Sequence, residues 1–228
     1  MLKVRRVELV KDNFRVDYED LSQQVYRMIK QMILVGELKT GEKLLQDELA
    51  SRLGVSRTPL VSAFSKLEKE MLVEIVPRRG AFVRQYEMHE LVDIYEIRVR
   101  LEPLGAAEAA THGSHEEKRK LIKLCRDFDK LAAAKDPKMK EIDYEFHMHI
   151  MKMSGNRLLY NIISSYSIIP LANFYGFFKN PETSASEHLS VFKAIADGDA
   201  KRSRREMFQH INSSRLQLIE NVSKQSSQ

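Results

Sequence analysis

Apolar residues recur at helical spacing over most of the chain. Between about Tyr18 and Val35, the residues Leu21, Val25, Met28, Ile29, Met32 and Ile33 share one face and Gly36 follows, which predicts an amphipathic helix. A second short run, Leu44, Leu45, Leu49 and Leu53, stops at Gly54, a residue suited to the positive φ that ends a helix. Val55 and Ser56 come next, and a third helix is expected from Arg57 to about Glu70. Ser56 is a good N-cap, and Pro59 is tolerated in a first turn, where the amide it lacks would be unpaired anyway. The period then changes to two. Val73 and Ile75 alternate with Leu72 and Glu74, and Ala81 and Val83 with Phe82 and Arg84, on either side of Pro77-Arg78-Arg79-Gly80. This predicts a β-hairpin with a basic tip.

Helical periodicity then returns and stays. Six helices are expected, at about 88–110, 115–134, 138–153, 156–179, 185–197 and 199–223. The breaks between them have local causes: Thr111-His-Gly-Ser114, Asp136-Pro137, Ser154-Gly-Asn156, Asn180-Pro181 and Asp197-Gly-Asp199. Pro170 should kink the fourth. The fold class that follows is mostly α: an N-terminal winged helix-turn-helix with a small β-hairpin wing, and a C-terminal all-α bundle of about six helices. The chain divides into an arm (1–17), a winged helix-turn-helix domain (18–85), a linker (86–90), a helical domain (91–223) and a polar tail (224–228).

Two short helices joined by a Gly-containing turn can be an ordinary surface hairpin or a DNA-reading helix-turn-helix. In the second case the start of the second helix meets base edges in the major groove, which here singles out Arg57 and Thr58. The hairpin after it favours DNA: Arg78 and Arg79 can sit against phosphates or enter the minor groove, and Gly80 lets backbone come close. Charge changes this picture only a little. Of the formal net +5, residues 1–86 carry most, with 16 Lys/Arg against 12 Asp/Glu. A hydrophobic fraction of 43% is ordinary for a globular chain, and no apolar run approaches the ~18 residues of a membrane span. The first ten residues are charged and lack an apolar signal-peptide core, and Cys125 stands alone, so a cytoplasmic location is expected.

Candidate metal chemistry lies in the helical part. Asp143 and His147 are four apart on one expected helix and so share a face. His188 precedes Gly198 by roughly 15 Å of helix and His210 follows it by roughly 18 Å, so an antiparallel hairpin sets them side by side. Both lie on apolar stripes, His188 with Val191, Phe192 and Ile195, and His210 with Met207, Ile211, Ser214 and Leu218. Three imidazoles and a carboxylate aimed into a core suit zinc or another divalent transition metal, nickel among them. The alternative is that each is a satisfied core histidine. His149 is expected on another face and exposed. Arg98 falls on the stripe Leu91, Ile94, Leu101, Gly105 and needs an anionic partner. That partner is either Glu102 or Asp143 in a salt bridge, or a carboxylate effector. Tyr166 and Asn173 fall on the apolar face of their expected helix and are candidates to line the same cavity.

The sequence resembles the GntR family of bacterial transcription regulators. The resemblance is carried by Ile33-Leu-Val-Gly-Glu-Leu38, Gly41-Glu-Lys-Leu44, Glu48-Leu-Ala50, Leu53-Gly-Val-Ser-Arg-Thr-Pro59 and Pro77-Arg-Arg-Gly-Ala-Phe-Val83. Two positions depart from it: Val61 stands where relatives usually have arginine, and Asp47 where they often have a basic residue. Beyond residue 88, Arg98…Leu101-Glu-Pro103, Asp143…Phe146-His147, Ser154-Gly-Asn156, Glu187-His188, Gly198-Asp199 and His210 resemble the FadR-type branch with its helical ligand-binding (FCD) domain, and six helices resemble its VanR-like subgroup. The resemblance implies a homodimer on a palindromic double-stranded operator, and a metal held by Asp143, His147, His188 and His210. It also implies a small carboxylate effector near Arg98, Tyr166 and Asn173. A sensor in which the ion itself is the signal uses the same residues. A metal-dependent hydrolase is the third reading, but no general base, nucleophile motif or Gly-rich phosphate loop accompanies the ligands, so no enzyme activity is expected.

Overall fold

The computed structural model describes residues 21–165 and 179–225. Helix α1 (Leu21–Leu34) buries Val25, Ile29, Met32 and Ile33. Leu21 and Met28, expected on the same face, are each 49% exposed, because the buried stripe is narrower than the apolar one. α2 (Gln46–Leu53) ends at Gly54 in the left-handed region (φ 67°), and α3 (Arg57–Lys69) starts after Ser56. Ser56 occupies the N-cap position, yet its side chain makes no capping hydrogen bond.

The hairpin is β2 (Val73–Val76) and β3 (Gly80–Val83), paired antiparallel with Ile75 opposite Ala81. A third strand, β1 (Lys43–Leu44), pairs with the other edge of β3. Leu44 was expected to be helical. Instead it is buried in this strand, and α2 begins two residues later. A two-residue strand has no period of its own, so its neighbours' helical spacing absorbs it. Ile75 is 40% exposed, because the hairpin tip extends past the body that covers Val73.

Only residues 84–87 separate β3 from α4 (Met88–His112). That junction is tied down. The Tyr86 hydroxyl donates to the Met71 carbonyl at 2.6 Å. The Glu90 carboxylate accepts from the Glu87 amide and from Arg84, each at 2.9 Å. α5 (His115–Ala133) opens with a Ser114–Glu117 capping box. α6 (Met139–Met153) and α7 (Arg157–Ser165) follow, then α8 (Pro181–Ala196) and α9 (Ala200–Gln225). The helix expected from about 185 begins four residues earlier, as α8: Asn180 caps it, with Oδ1 accepting from the Glu182 amide at 2.9 Å, and Pro181 sits in the first turn. The stretch beyond residue 165 of the expected 156–179 helix, with the Pro170 kink, lies outside the described residues, as do residues 1–20. The count of six helices therefore holds for the C-terminal part among the described residues.

α4 packs most extensively on α9 and also on α6 and α8, while α5 lies against α6 and α8. This places α4, α6, α8 and α9 around one interior. Among the described residues no helix is long and apolar enough to cross a membrane.

Candidate metal centre and DNA-reading face

Three histidines converge in that interior from three helices. His147 Nε2 of α6 is 3.3 Å from His210 Nε2 of α9, and His188 Nε2 of α8 is 3.2 Å from the same atom. Asp143 Oδ1, one turn before His147, lies 3.3 Å from His188 Nε2 and 3.9 Å from His147 Nε2. His188 is 0% exposed, His147 1%, and His210 and Asp143 4% each. The His188 ring is held between Phe128 and Phe146, with centroids at 4.7 and 4.2 Å. His149 does not join them. It is buried at 9%, against its expected exposure, and its Nε2 meets the Glu117 carbonyl at 2.9 Å. The reason is that α6 is covered on that flank by α5 as well.

The far sides of two rings decide what the near sides present. Glu102 Oε2 of α4 stands 2.6 Å from His147 Nδ1. The contact is short but off the line of the ring N–H, so neither atom has a well-aligned hydrogen bond. A lone pair facing a carboxylate at that distance would be repelled, so the proton belongs on Nδ1. Glu187 Oε2 is 2.8 Å from His210 Nδ1. Lys179 is also near that atom, at 3.2 Å, but its three N–H bonds have acceptors already in Glu187, the His210 carbonyl and Ser213. His210 therefore donates from Nδ1 to Glu187. With both rings neutral, each Nε2 is left as a lone pair, and the two face each other at 3.3 Å. His188 can donate from Nε2 to only one neighbour, and its buried Nδ1 has no hydrogen-bond partner. Among the described residues, neutral side chains alone leave these nitrogens without matched donors.

A cation would match them. Ligands at about 2.0–2.1 Å in a tetrahedral set stand roughly 3.3 Å from one another, which is the spacing of His210 Nε2 from the other two nitrogens. Such a nitrogen-rich, oxygen-poor donor set suits zinc or a similar transition metal. Electrostatics keep the donors in ligand form. Burial pushes His188 and His210 below the ordinary histidine range, for His210 well below, with Lys179 and the neighbouring histidines adding to the effect at His210. For Asp143, burial would raise the pKa, but the His188 hydrogen bond and the nearness of His147 and Arg98 outweigh it, so it stays ionised. Burial likewise opposes Glu102, yet Arg98 and His147 bring it down to about 2.

Arg98 has its anion within the protein. Its Nε donates to Glu102 Oε1 at 2.6 Å, both side chains are buried, and its guanidinium lies 4.9 Å from the centre of the Tyr95 ring. Of the two readings of Arg98, the salt bridge to Glu102 is present. Tyr166 and Asn173 lie outside the described residues. Sequence reasoning named Glu102 only as a partner of Arg98, and gave Glu187 and Lys179 no role. Spacing pairs Glu102 with Arg98 four residues earlier, but nothing local shows that its other oxygen faces His147. Lys179 left no signal.

At the other end of the chain, Arg57 is the first residue of α3 and is exposed with Thr58. Asp47, in the first turn of α2, places Oδ1 2.5 Å from Arg57 Nε. Val61, one turn after Arg57, is 53% exposed. Arg78, Arg79 and Gly80 form the exposed hairpin tip, where Arg78 (φ 64°) and Gly80 (φ 106°) both take left-handed backbone. Arg79 lies over the Phe82 ring at 5.6 Å.

The comparisons with known proteins agree with this architecture. Residues 21–83 match the family described as bacterial regulatory proteins, gntR family, and residues 93–213 match the FCD domain. The Nta operon transcriptional regulator of Aminobacter aminovorans is 30% identical over 164 residues, covering 70% of this chain and 76% of its own. YdhC of Bacillus subtilis, an uncharacterised HTH-type transcriptional regulator, is 27% identical over 195 residues, covering 83% and 87%. Among solved structures, E. coli McbR/YncC superposes with a TM-score of 0.78 at 20% identity over 90% of this chain and 100% of its own, a likeness of fold. The matched families and relatives are regulators of transcription and not enzymes. With a helix-turn-helix and wing before Arg84 and an FCD bundle after it, the chain belongs to the GntR family of bacterial transcription regulators.

Proposed function

We propose that this regulator binds a palindromic operator as a homodimer, and that its operator affinity is set by a small carboxylate effector. The effector would meet a divalent metal, zinc first, held by Asp143, His147, His188 and His210. The observation that supports the metal most directly is the pair of imidazole Nε2 atoms 3.3 Å apart, each ring with a carboxylate against its Nδ1. When bound, the metal supplies a Lewis-acidic centre with affinity for carboxylate oxygens. Arg57 and Thr58 would read base edges, and Arg78, Arg79 and Gly80 would contact the backbone or minor groove. Tyr166, Asn173 and Arg98 are the proposed effector contacts. Arg98 can serve only by sharing its charge between Glu102 and the ligand.

Coupling has a physical route. Glu102 and Arg98 sit on α4, whose first turn is bonded to Arg84 at the end of the wing. A change in how Glu102 is engaged at the centre therefore bears on the helix that leads straight into the DNA-binding part.

Elemental analysis of dialysed protein beside a His188→Ala variant tests the metal. About one equivalent per chain, lost in the variant, is expected. No metal in either protein after zinc is supplied would return these residues to core histidines. A gel shift with the DNA upstream of the gene tests operator binding. Folded dimer that binds no sequence specifically at low salt would sink that reading. If chelation alone changes operator affinity, the ion itself is the signal; if chelation lowers only the melting temperature, a small molecule is still needed for the switch.

A further inference from the structure

A carboxylate in the face that meets DNA is unfavourable on simple electrostatics, because it repels the phosphates that supply most of the affinity. Asp47 is such a residue. It stands in the first turn of α2 and reaches across the helix-turn-helix to the first residue of α3, placing Oδ1 2.5 Å from Arg57 Nε. The two side chains are 73% and 67% exposed, so the pair adds little to stability. Its effect falls on Arg57 itself. An arginine side chain has many rotamers, and a contact at Nε biases it toward those that keep the contact. The same contact leaves Nη1 and Nη2 as the pair of donors for an end-on, two-bond contact with O6 and N7 of guanine. One turn further along the same face is Val61, half-exposed and without a hydrogen-bonding group. Along this stripe, then, hydrogen-bonded reading rests on Arg57.

We infer that Asp47 is a positioning and specificity-determining residue, which orients Arg57 to read a guanine in each operator half-site. This rests on the operator-binding reading above. The inference exchanges part of the general attraction for DNA for discrimination at one base.

Selection from a randomised duplex pool tests it, using the full-length wild type and the Asp47→Ala, Asp47→Asn and Arg57→Ala variants, followed by fluorescence anisotropy on the selected and a random duplex. The wild type should enrich guanine at one position of each half-site, and Arg57→Ala should lose that preference. Asp47→Ala should weaken it by roughly five- to ten-fold, while its affinity for random duplex stays equal or rises because a negative charge is gone. Asp47→Asn, which keeps an acceptor oxygen, should retain part of the preference. Base preference is a readout that a merely structural role would not move. An Asp47→Ala protein with full guanine preference, or one whose specific and random binding fall together, would overturn the inference. So would an Arg57→Ala protein that keeps the preference, with operator binding itself left standing. A wild type that enriches no sequence would remove the operator reading, and this inference with it.

Discussion

Glu102 shows how much one side chain carries at this centre. It holds the buried Arg98 charge with one oxygen and faces the His147 ring with the other. Glu102→Gln should lower zinc affinity about 10- to 100-fold by competition with a chromophoric chelator, as for other carboxylates behind metal-bound imidazoles. It should also destabilise the protein by about 3–5 kcal/mol, because Arg98 is left buried without its anion. Replacing both residues, Arg98→Met with Glu102→Gln, should recover stability but not zinc affinity, and recovery of both would show that Glu102 serves only Arg98. On the DNA side, Val61→Arg should strengthen binding to any duplex and steepen its salt dependence by about one phosphate contact; an unchanged salt slope would place Val61 away from DNA. At this scale the sequence was informative about residue types and about partners one turn away, and silent about distant ones. Asp143 and His147 share a face by spacing alone, whereas Glu187 and Lys179 reach His210 across 23 and 31 residues, and no local pattern marks that.

The elements were legible where a capping residue or a change of period marks them. Gly54 is the cleanest case. It takes φ +67°, and a Cβ there would meet nothing within 4 Å. Gly54→Ala should therefore cost about 1 kcal/mol from backbone strain alone. Denaturant melts read against an exposed-site control would check this, and no loss would mean that the turn relaxes. Elsewhere one signal has two meanings. Asn180-Pro181 marks a helix end and a helix start equally well, because proline stops one helix and suits the first turn of the next. Strand β1 was missed because two residues are too short for periodicity to register, and its pairing with β3 is decided about 40 residues away.

For the whole molecule, the buried centre predicts a pH dependence. His188 and His210 are held below the ordinary histidine pKa by burial, while the unfolded chain titrates near 6.5. As pH falls below about 6.5, the unfolded state gains protons that the folded state refuses, so stability is lost progressively. Asp143 and Glu102 are shifted downward, so their contribution is present at neutral pH and is lost only below about 4. Thermal melts of chelated protein should be flat above pH 7, fall between 6.5 and 5, and fall again below 4. A flat profile from 7 to 5 would mean that the histidines are not held neutral. Zinc added at pH 7 should raise the melting temperature of the wild type and leave that of His188→Ala unchanged.

By itself the sequence determined the helix-turn-helix, the basic wing, the helical character of the remainder and the stripes on which Asp143, His147, His188, His210 and Arg98 lie. These depend on residues within one or two turns of each other, where capping, backbone preference and periodicity act. Only the tertiary structure decided that four helices bring those stripes to one point. It also decided that Glu102 answers Arg98 and backs His147, and that Asp47 pairs with Arg57. Each depends on how elements pack after the chain has turned back on itself. His147 and His210, for example, are 63 residues apart yet meet at 3.3 Å, a distance set by helix packing and not by spacing along the chain.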